Sequence, residues 1–240
     1  MDAWTIVLPV KPFEEAKSRL GSLSGSVRAT LAEAFFQDTL LAVLSTAGVQ
    51  RVLVVTQDQR AAGQAAAAGA FVLPDHPRAG LNAAVRRATA WASADAPDRP
   101  TAVLTTDLPS LRSTELQQVL TEAAGHRVSF LADHSRQGTT FLAATRPNLL
   151  TPCFEGHSSH AHRLSGAHEI TEVLASSVRL DVDTLGDLEL AQLLGLGHHT
   201  DSALRSSLGT STFNAAPLQT AAGLGEVVQY VGAGATVVLR

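Results

Sequence analysis

Short apolar runs alternate with longer amphipathic segments over the first four fifths of the chain. We predict seven strands from these runs, at 4–10, 51–56, 70–73, 101–106, 127–132, 139–144 and 178–182. The first run, Trp4 to Val10, is continuously apolar, which is typical of a strand buried on both faces of a parallel sheet. The polar turn at 133–138 separates the fifth strand from the sixth.

The segments between these runs have helical periodicity. Leu31, Phe35, Leu40 and Leu44 are spaced as on one face of a helix, and Gly48 follows as a stop. Further helices are predicted at 58–68, 81–94, 114–124 and 185–194. Ser113 is predicted to cap the helix at 114–124. Strands that alternate with helices predict an α/β fold, a Rossmann-like doubly wound and mostly parallel sheet.

The character of the sequence changes near His198. Residues 201–225 are rich in Ser, Thr, Ala and Gly and have weak periodicity. We therefore predict one domain over 1–197 and a low-complexity tail over 198–240. The apolar stretch 227–239 predicts a small hairpin, or an edge strand on this or a neighbouring chain, as in a homodimer.

Composition restricts the class of protein. The 240 residues are 45% apolar with a net charge of −4, which argues against a general nucleic-acid-binding protein. No apolar run reaches the roughly 18 residues of a membrane span, and the N-terminus lacks a signal-peptide pattern. A single cysteine, Cys153, excludes an intrachain disulfide framework. We expect a cytoplasmic protein without nucleic-acid or membrane partners.

The chain has two lysines, Lys11 and Lys17, and both follow the first strand. A lysine is a compact charge that suits phosphate binding, so this segment is a candidate phosphate loop. Two surface lysines at a helix start are the alternative. The GxxxxGK[ST], GxGxxG and GxSxG motifs are absent, which disfavours a P-loop NTPase, a dinucleotide-binding domain and a serine hydrolase.

Aspartates follow two of the predicted strands. Asp107 comes after the fourth strand, and Asp181 and Asp183 flank Val182, so the period of two puts both on one face. Carboxylate oxygens at strand ends suit Mg²⁺, although a lone aspartate there is often a cap or turn former. Histidines at 157, 160 and 162 give weaker support for zinc, since no cysteine or HExxH helix accompanies them.

Five motifs together resemble the guanylyltransferases of coenzyme F420 biosynthesis, within the MobA-like nucleotidyltransferase group. The segments are Leu-Pro-Val-Lys-Pro-x4-Ala-Lys-x-Arg-Leu at 8–20, Pro-Asp-x4-Gly-Leu-Asn at 74–82, Thr-Asp-Leu-Pro-Ser-Leu at 106–111, Asp-x4-Gly-Thr-Thr at 133–140 and Asp-Val-Asp-Thr-x2-Asp-Leu at 181–188. The resemblance implies transfer of GMP from GTP to a small phosphorylated carboxylic acid, phosphoenolpyruvate or 2-phospho-L-lactate. The Arg- and Ala-rich composition favours phosphoenolpyruvate, the acceptor of actinobacterial members.

The resemblance also implies roles for residues. Mg²⁺ would be held by Asp107 and Asp183, with Asp183 preferred over Asp181, and Lys17 and Arg19 would contact the GTP phosphates, with Lys11 near the reacting centre. The segments expected to hold base and ribose are Leu8, Pro9, Val10, Gly80, Leu81 and Asn82, and those expected to hold the acceptor are Thr139, Thr140, Gly156, Ser158 and Ser159.

The acceptor segment departs from the family pattern. The family's Phe-Gly-x-Gly-Ser-x3-His is matched at Phe154, Ser158 and His162, whereas Glu155 and His157 replace glycines. A carboxylate beside an anionic acceptor is unfavourable, so two alternatives stay open. One is a MobA-like nucleotidyltransferase with another phosphorylated acceptor, and the other is a non-catalytic nucleotide-binding protein. Thr139 and Thr140 also fit ordinary strand positions.

Overall fold

The computed structural model describes residues 3–208, 228–231 and 235–238. The chain divides into two compact units, Met1–Ser207 and Leu208–Arg240. The first unit is built around one seven-stranded sheet with helices on both faces, so the predicted α/β class is confirmed.

The strands of this sheet are β1 (Trp4–Val10), β2 (Val49–Thr56), β3 (Phe71–Pro74), β4 (Thr101–Leu104), β5 (Val128–Ala132), β6 (Thr139–Ala144) and β7 (His168–Glu169). Their order is β3-β2-β1-β4-β6-β5-β7. Of the seven strands in this sheet, β6 alone runs antiparallel to its neighbours, β4 and β5. The reversal follows from the short turn after β5, because two adjacent strands joined by a tight turn must be antiparallel.

The helices are α1 (Gly25–Leu44), α2 (Gln59–Ala67), α3 (Leu81–Asp95), α4 (Ser113–Ala123), α5 (Ser158–Leu164), α6 (Ser176–Arg179), α7 (Leu185–Leu194) and α8 (His198–Leu208). One core cluster joins the Ile6 and Leu8 face of β1 to α1, α2, α4 and α6. A second cluster joins the Val7 face to α3 and to residues 149–167. Period-two burial of both faces explains why the β1 sequence is continuously apolar.

Two local predictions are wrong. Residues 178–182 are not a strand, because Ser176–Arg179 is a short helix and an extended loop follows it. Val178, Leu180 and Val182 are nevertheless buried. The alternation of apolar residues in the sequence therefore reflects side-chain burial and not strand pairing. Ser113 is the first residue of α4 instead of its cap, since Arg112 occupies the N-cap position.

Residues 198–208 form α8, and the first compact unit runs to Ser207. The buried carboxylate of Asp38 accepts hydrogen bonds from the backbone N–H groups of His199 (3.0 Å) and Thr200 (2.8 Å). Gly197 makes this possible, since a Cβ there would lie 2.2 Å from Cγ of Asp38. The cap comes from a residue distant in sequence, which local composition could not indicate.

Replacing Asp38 with alanine is expected to lower the free energy of unfolding by about 2 kcal/mol, because two buried N–H groups lose their acceptor. Asp201→Ala is the matched control, since Asp201 lies in the first turn of α8 and pairs with exposed Arg205. That variant should stay within about 0.5 kcal/mol of wild type in urea denaturation. Equal effects of the two substitutions would contradict the capping role.

In the second unit, β8 (Val228–Val231) and β9 (Ala235–Val238) pair antiparallel. This corresponds to the hairpin alternative predicted for 227–239. The rest of the predicted tail after 208 lies outside the described residues.

Candidate active site

A cleft of about 780 Å³ opens at the edge of the sheet where β1, β3, β4 and β5 end. Ligands bind at this edge in open α/β sheets. The cleft is lined by most of the residues predicted from sequence, namely Pro9, Val10, Lys11, Lys17, Arg19, Gly80, Leu81, Asp107, Thr139, Gly156, Ser158, Asp181 and Asp183. Segments far apart in the chain therefore converge on one space.

The loop after β1 is anchored through Phe13. This side chain is buried, its ring lies 6.0 Å from that of Phe36, and its backbone N–H donates to Asp58 Oδ2 at 3.0 Å. The segment Phe13–Glu15 forms one 3₁₀ turn. The anchor fixes the path of the loop, so that Lys11 and Lys17, on either side of it, both reach the cleft.

Lys17 lies between two carboxylates. Its Nζ donates to Asp107 Oδ2 at 2.5 Å and to Asp183 Oδ1 at 3.1 Å, and only 7% of its side chain is exposed. Burial by itself would lower the pKa of Lys17, but Asp107 and Asp183 outweigh burial and raise the pKa above its ordinary value. Arg19 donates to the other oxygen of Asp183 at 3.0 Å. Lys17 has a left-handed backbone, with φ of 58°.

Asp107 is held in place by contacts of the loop around it. The Thr39 hydroxyl lies 3.3 Å from the backbone N–H of Leu108, which donates to it. The carbonyl oxygen of Asp107 accepts from the N–H of Val182 at 3.0 Å, which joins the loop after β4 to the loop before α7. Oδ1 of Asp107 is buried and has no hydrogen-bond partner among the described residues.

Asp183 stands directly before α7. Thr184 caps this helix, and its hydroxyl and N–H groups form a capping box with Asp187. The N–H of Asp183 also donates to Asp187 Oδ2, at 3.1 Å. Asp183 is thereby fixed at a helix N-terminus, where a negative charge is favourable.

Two further carboxylates lie near this pair. Asp133 accepts hydrogen bonds from the N–H groups of Gln137 (3.0 Å) and Gly138 (2.9 Å). Burial raises the pKa of Asp181 to about 8, and the negative charges of Asp107, Asp133 and Asp183 contribute to that rise. Four carboxyl groups, those of Asp107, Asp133, Asp181 and Asp183, are therefore gathered at this end of the cleft.

The donor set fits Mg²⁺ bound together with a phosphorylated substrate. Asp107 and Asp183 already share one cation, the Lys17 ammonium, and Asp107 Oδ1 is a buried oxygen without a partner. Over 3–208, 228–231 and 235–238, no group of three or more His, Cys, Asp or Glu side chains is arranged to hold a metal ion. Mg²⁺ commonly takes one or two carboxylates and completes its shell with water and phosphate oxygens.

Four predicted binding residues do not line the cleft. Leu8 is fully buried in the core, and Thr140 is fully buried on the opposite side of β6 from Thr139, because side chains alternate along a strand. Ser159 donates to the backbone carbonyl of Arg136 at 2.7 Å. The Asn82 side chain accepts from the N–H of Phe154 at 2.8 Å, so it holds the acceptor segment in place.

Glu155 turns toward Gly80. Its side chain is exposed, and its Oε1 lies 3.1 Å from the position that a Cβ on Gly80 would take. Gly80 has φ of 89°, so glycine is favoured there for its backbone as well. Glu155 is not among the residues that line the cleft, whereas its neighbours Phe154 and Gly156 are. The carboxylate that looked unfavourable in the sequence therefore lies beside the rim of the cleft.

His162 links the two parts of the predicted acceptor site. Its Nε2 accepts from the N–H of Cys153 at 3.0 Å, so the proton is on Nδ1, which lies 3.0 Å from the Thr139 hydroxyl. The side chain is fully buried, and burial lowers its pKa from 6.5 to about 4. A neutral His162 thus positions Thr139 and the segment after Cys153.

The pKa of His162 predicts a loss of stability in mild acid. The unfolded chain binds a proton near pH 6.5 and the folded chain only near pH 4, so the free energy of unfolding falls as pH drops through this window. We expect a contribution of about 3 kcal/mol, since each pKa unit corresponds to about 1.4 kcal/mol. The measurement is the difference between wild type and His162→Asn in urea denaturation, which should shrink from pH 7 to pH 4. A constant difference would contradict the neutral state.

Some residues that line the cleft were not predicted as site residues from the sequence. Asp133 opens the quoted motif at 133–140, so its signal was present, but its turn geometry was not visible. Arg78 lies in a variable position of the motif at 74–82, and only the structure shows that it reaches the cleft. Asp75 lines the same wall, where its carboxylate accepts from Arg87 at 2.8 Å.

The comparison with protein families gives a match over residues 4–227 to the family described as "Guanylyl transferase CofC like". Two similar proteins are named phosphoenolpyruvate guanylyltransferase. The one from Streptomyces scabiei is 45% identical and covers 83% of this chain and 95% of its own. The one from Streptosporangium roseum is 46% identical, with 82% and 88% covered.

Solved structures share the fold. A nucleotidyl transferase from Methanothermobacter has a TM-score of 0.57 at 19% identity and covers 81% of this chain and 98% of its own. A cytidylyltransferase from Leptospira borgpetersenii has a TM-score of 0.53 at 16% identity, with 86% and 94% covered. Within the described parts of the chain, no helix is long and apolar enough to cross a membrane.

Proposed function

The chain belongs to the CofC-like guanylyl transferase family, and we propose that it transfers GMP from GTP to phosphoenolpyruvate or 2-phospho-L-lactate, in coenzyme F420 biosynthesis. Relatives about 45% identical over most of their length are named phosphoenolpyruvate guanylyltransferases, which favours phosphoenolpyruvate. The observation that carries the proposal is the cluster of Lys17, Asp107 and Asp183 in the cleft.

The reaction needs no nucleophile from the protein. A phosphate oxygen of the acceptor attacks the α-phosphorus of GTP, the bond from this phosphorus to the bridging oxygen breaks, and pyrophosphate leaves. The acceptor oxygen is already ionised, so the protein mainly has to position two polyanions and neutralise them. We assign this role to Lys17 and Arg19 on the triphosphate and to Lys11 near the reacting centre. All three line the cleft.

We propose that Asp107 and Asp183 hold Mg²⁺. When bound, the metal would supply charge neutralisation and a template for the phosphates. The preference for Asp183 over Asp181 is supported by its ion pairs with Lys17 and Arg19.

The two substrates are assigned to opposite parts of the cleft. Pro9, Val10, Gly80 and Leu81 would hold the nucleoside, and Thr139, Gly156 and Ser158 would hold the acid. The volume of about 780 Å³ lies within the range of roughly 300–1,000 Å³ for ligand pockets. Leu8, Thr140, Asn82 and Ser159 are instead proposed to support these residues from behind, because their contacts are with the protein.

The test is an assay of pyrophosphate release with purified protein and Mg²⁺. Each nucleoside triphosphate is combined with phosphoenolpyruvate, 2-phospho-L-lactate, a sugar phosphate or no acceptor. We expect release with GTP and phosphoenolpyruvate, or with GTP and 2-phospho-L-lactate. Release with another pair alone would replace the acceptor assignment, and binding of GTP without any turnover would favour the non-catalytic alternative. A chelator should abolish release.

We also propose a cellular location and an oligomeric state for the enzyme. A cytoplasmic location is proposed because GTP and phosphoenolpyruvate are substrates that a cytoplasmic enzyme would meet. A homodimer is proposed from the apolar character of 227–239, and size-exclusion chromatography of full-length protein and of a chain ending at Leu208 checks it.

A further inference from the structure

One ion pair joins two segments that the proposed function assigns to the nucleotide. Arg78, between β3 and α3, donates from both terminal nitrogens to Glu15 on the loop after β1, at 2.8 Å and 2.5 Å. Both side chains line the cleft, and 38% of the Arg78 side chain and 51% of the Glu15 side chain are exposed. The pair thus connects two segments of the chain that line the cleft.

The pair lies beside the lysines of the phosphate loop. Glu15 precedes Lys17 by two residues. The hydrogen bonds from Arg78 lower the pKa of Glu15, and the positive charge of Lys11 acts in the same direction. The carboxylate of Glu15 therefore already lies in the positive field that a triphosphate would enter.

Arg78 differs from Lys17 in how strongly its carboxylate partner holds it. Lys17 is shared by two carboxylates and is almost fully buried, whereas Glu15 holds Arg78 in solvent. An exposed ion pair contributes little free energy, because water and salt screen it. A phosphate group presents the same bidentate oxygens to a guanidinium and carries more charge. We therefore expect the exchange of Glu15 for a phosphate to be favourable.

We propose that Arg78 binds the triphosphate of the nucleotide, and that Glu15 occupies its guanidinium until the nucleotide enters. This inference rests on the proposed function, since it takes GTP as the ligand. We assign Arg78 to a phosphate group of GTP and not to the guanine base, because its present partner, the Glu15 carboxylate, is an anion.

The experiment measures dissociation constants of GTP and of inorganic triphosphate, with Mg²⁺ and no acceptor, by calorimetry. The variants are Arg78→Gln, Glu15→Gln and the double variant. Glu14→Gln is the matched control, because it removes the same charge from the residue next to Glu15. Glu14 pairs with Arg60 and does not line the cleft. We expect Arg78→Gln to weaken both ligands about tenfold and Glu15→Gln to tighten both about two- to fivefold.

The double variant decides between the proposal and simple charge repulsion. If Glu15 acts by occupying Arg78, the double variant matches Arg78→Gln, and Glu14→Gln matches wild type. A gain from Glu15→Gln that persists without Arg78 would overturn the proposal, as would weakening by both single variants alike, which a purely structural ion pair predicts. Loss of GTP affinity in Arg78→Gln without loss of triphosphate affinity would overturn the phosphate contact. Wild-type protein that binds no GTP would overturn the proposed function itself, together with this inference.

Discussion

Replacing Asp107 with asparagine is expected to lower kcat for guanylyl transfer about a thousandfold or more while the protein stays folded. The substitution keeps the size of the side chain and removes one of the two carboxylates that share Lys17. It also leaves intact the backbone hydrogen bond from Val182 to the Asp107 carbonyl, which holds the loop. The loss should therefore fall on the metal and phosphate chemistry and spare stability.

The measurement combines pyrophosphate release at saturating GTP with the urea midpoint of unfolding. Asp98→Asn is the matched control, since it makes the same chemical change at an exposed residue that pairs with Arg146 at 3.2 Å. Asp98→Asn should retain the activity of wild type. Retained activity in Asp107→Asn would remove Asp107 from the metal site, and a collapsed urea midpoint would show a structural role instead.

Much of the fold was predictable, because burial in an α/β protein leaves periodic traces in sequence. The strand Trp4–Val10 was predicted with its observed bounds, since both of its faces contact core. The segment 178–182 has the same kind of periodic pattern but does not form a strand. Its alternation of apolar and polar residues is real, but Val182 donates its backbone N–H to Asp107 instead of to a strand. Which partner a backbone finds depends on tertiary structure.

Some residues of the candidate site could be predicted from the sequence, and others could not. Lys17 could be selected because the chain has two lysines and both follow the first strand, Asp107 because it follows a buried strand, and Asp183 because it matches a motif of the family. The structure brings all three together. Thr140 and Ser159 were grouped with their neighbours Thr139 and Ser158, yet they turn away from the cleft. One residue of offset reverses a side chain on a strand, and sequence proximity cannot resolve that.

The contacts that hold the site rigid were the least predictable. His162 was noted for matching a motif, but its bonds to Thr139 and to the N–H of Cys153 depend on a buried geometry. Arg78 and Glu15 are ordinary surface residue types, 63 positions apart, and carry no signal in a single sequence. Such supporting contacts join distant segments, whereas catalytic residue types stand out by their chemistry.

Replacing Lys17 with methionine is expected to change activity and metal affinity in opposite directions. Activity should fall, with kcat/KM for GTP lowered about a hundredfold or more, because the triphosphate loses a buried cation. Affinity for Mn²⁺ without nucleotide should rise about tenfold or more. The Lys17 ammonium lies between Asp107 and Asp183, so a metal ion must displace it, and methionine fills similar space without a charge.

Electron paramagnetic resonance of Mn²⁺ gives this affinity independently of turnover. The other lysine of the chain supplies the control, since Lys11 lines the same cleft and, within the described residues, forms no ion pair with a carboxylate. Lys11→Met should therefore leave Mn²⁺ affinity close to that of wild type. A displaced Lys17 needs a new anion, and the triphosphate provides one, so GTP should tighten Mn²⁺ binding more in wild type than in Lys17→Met. If Lys17→Met bound Mn²⁺ no more tightly than wild type, Asp107 and Asp183 would not form the metal site that we propose.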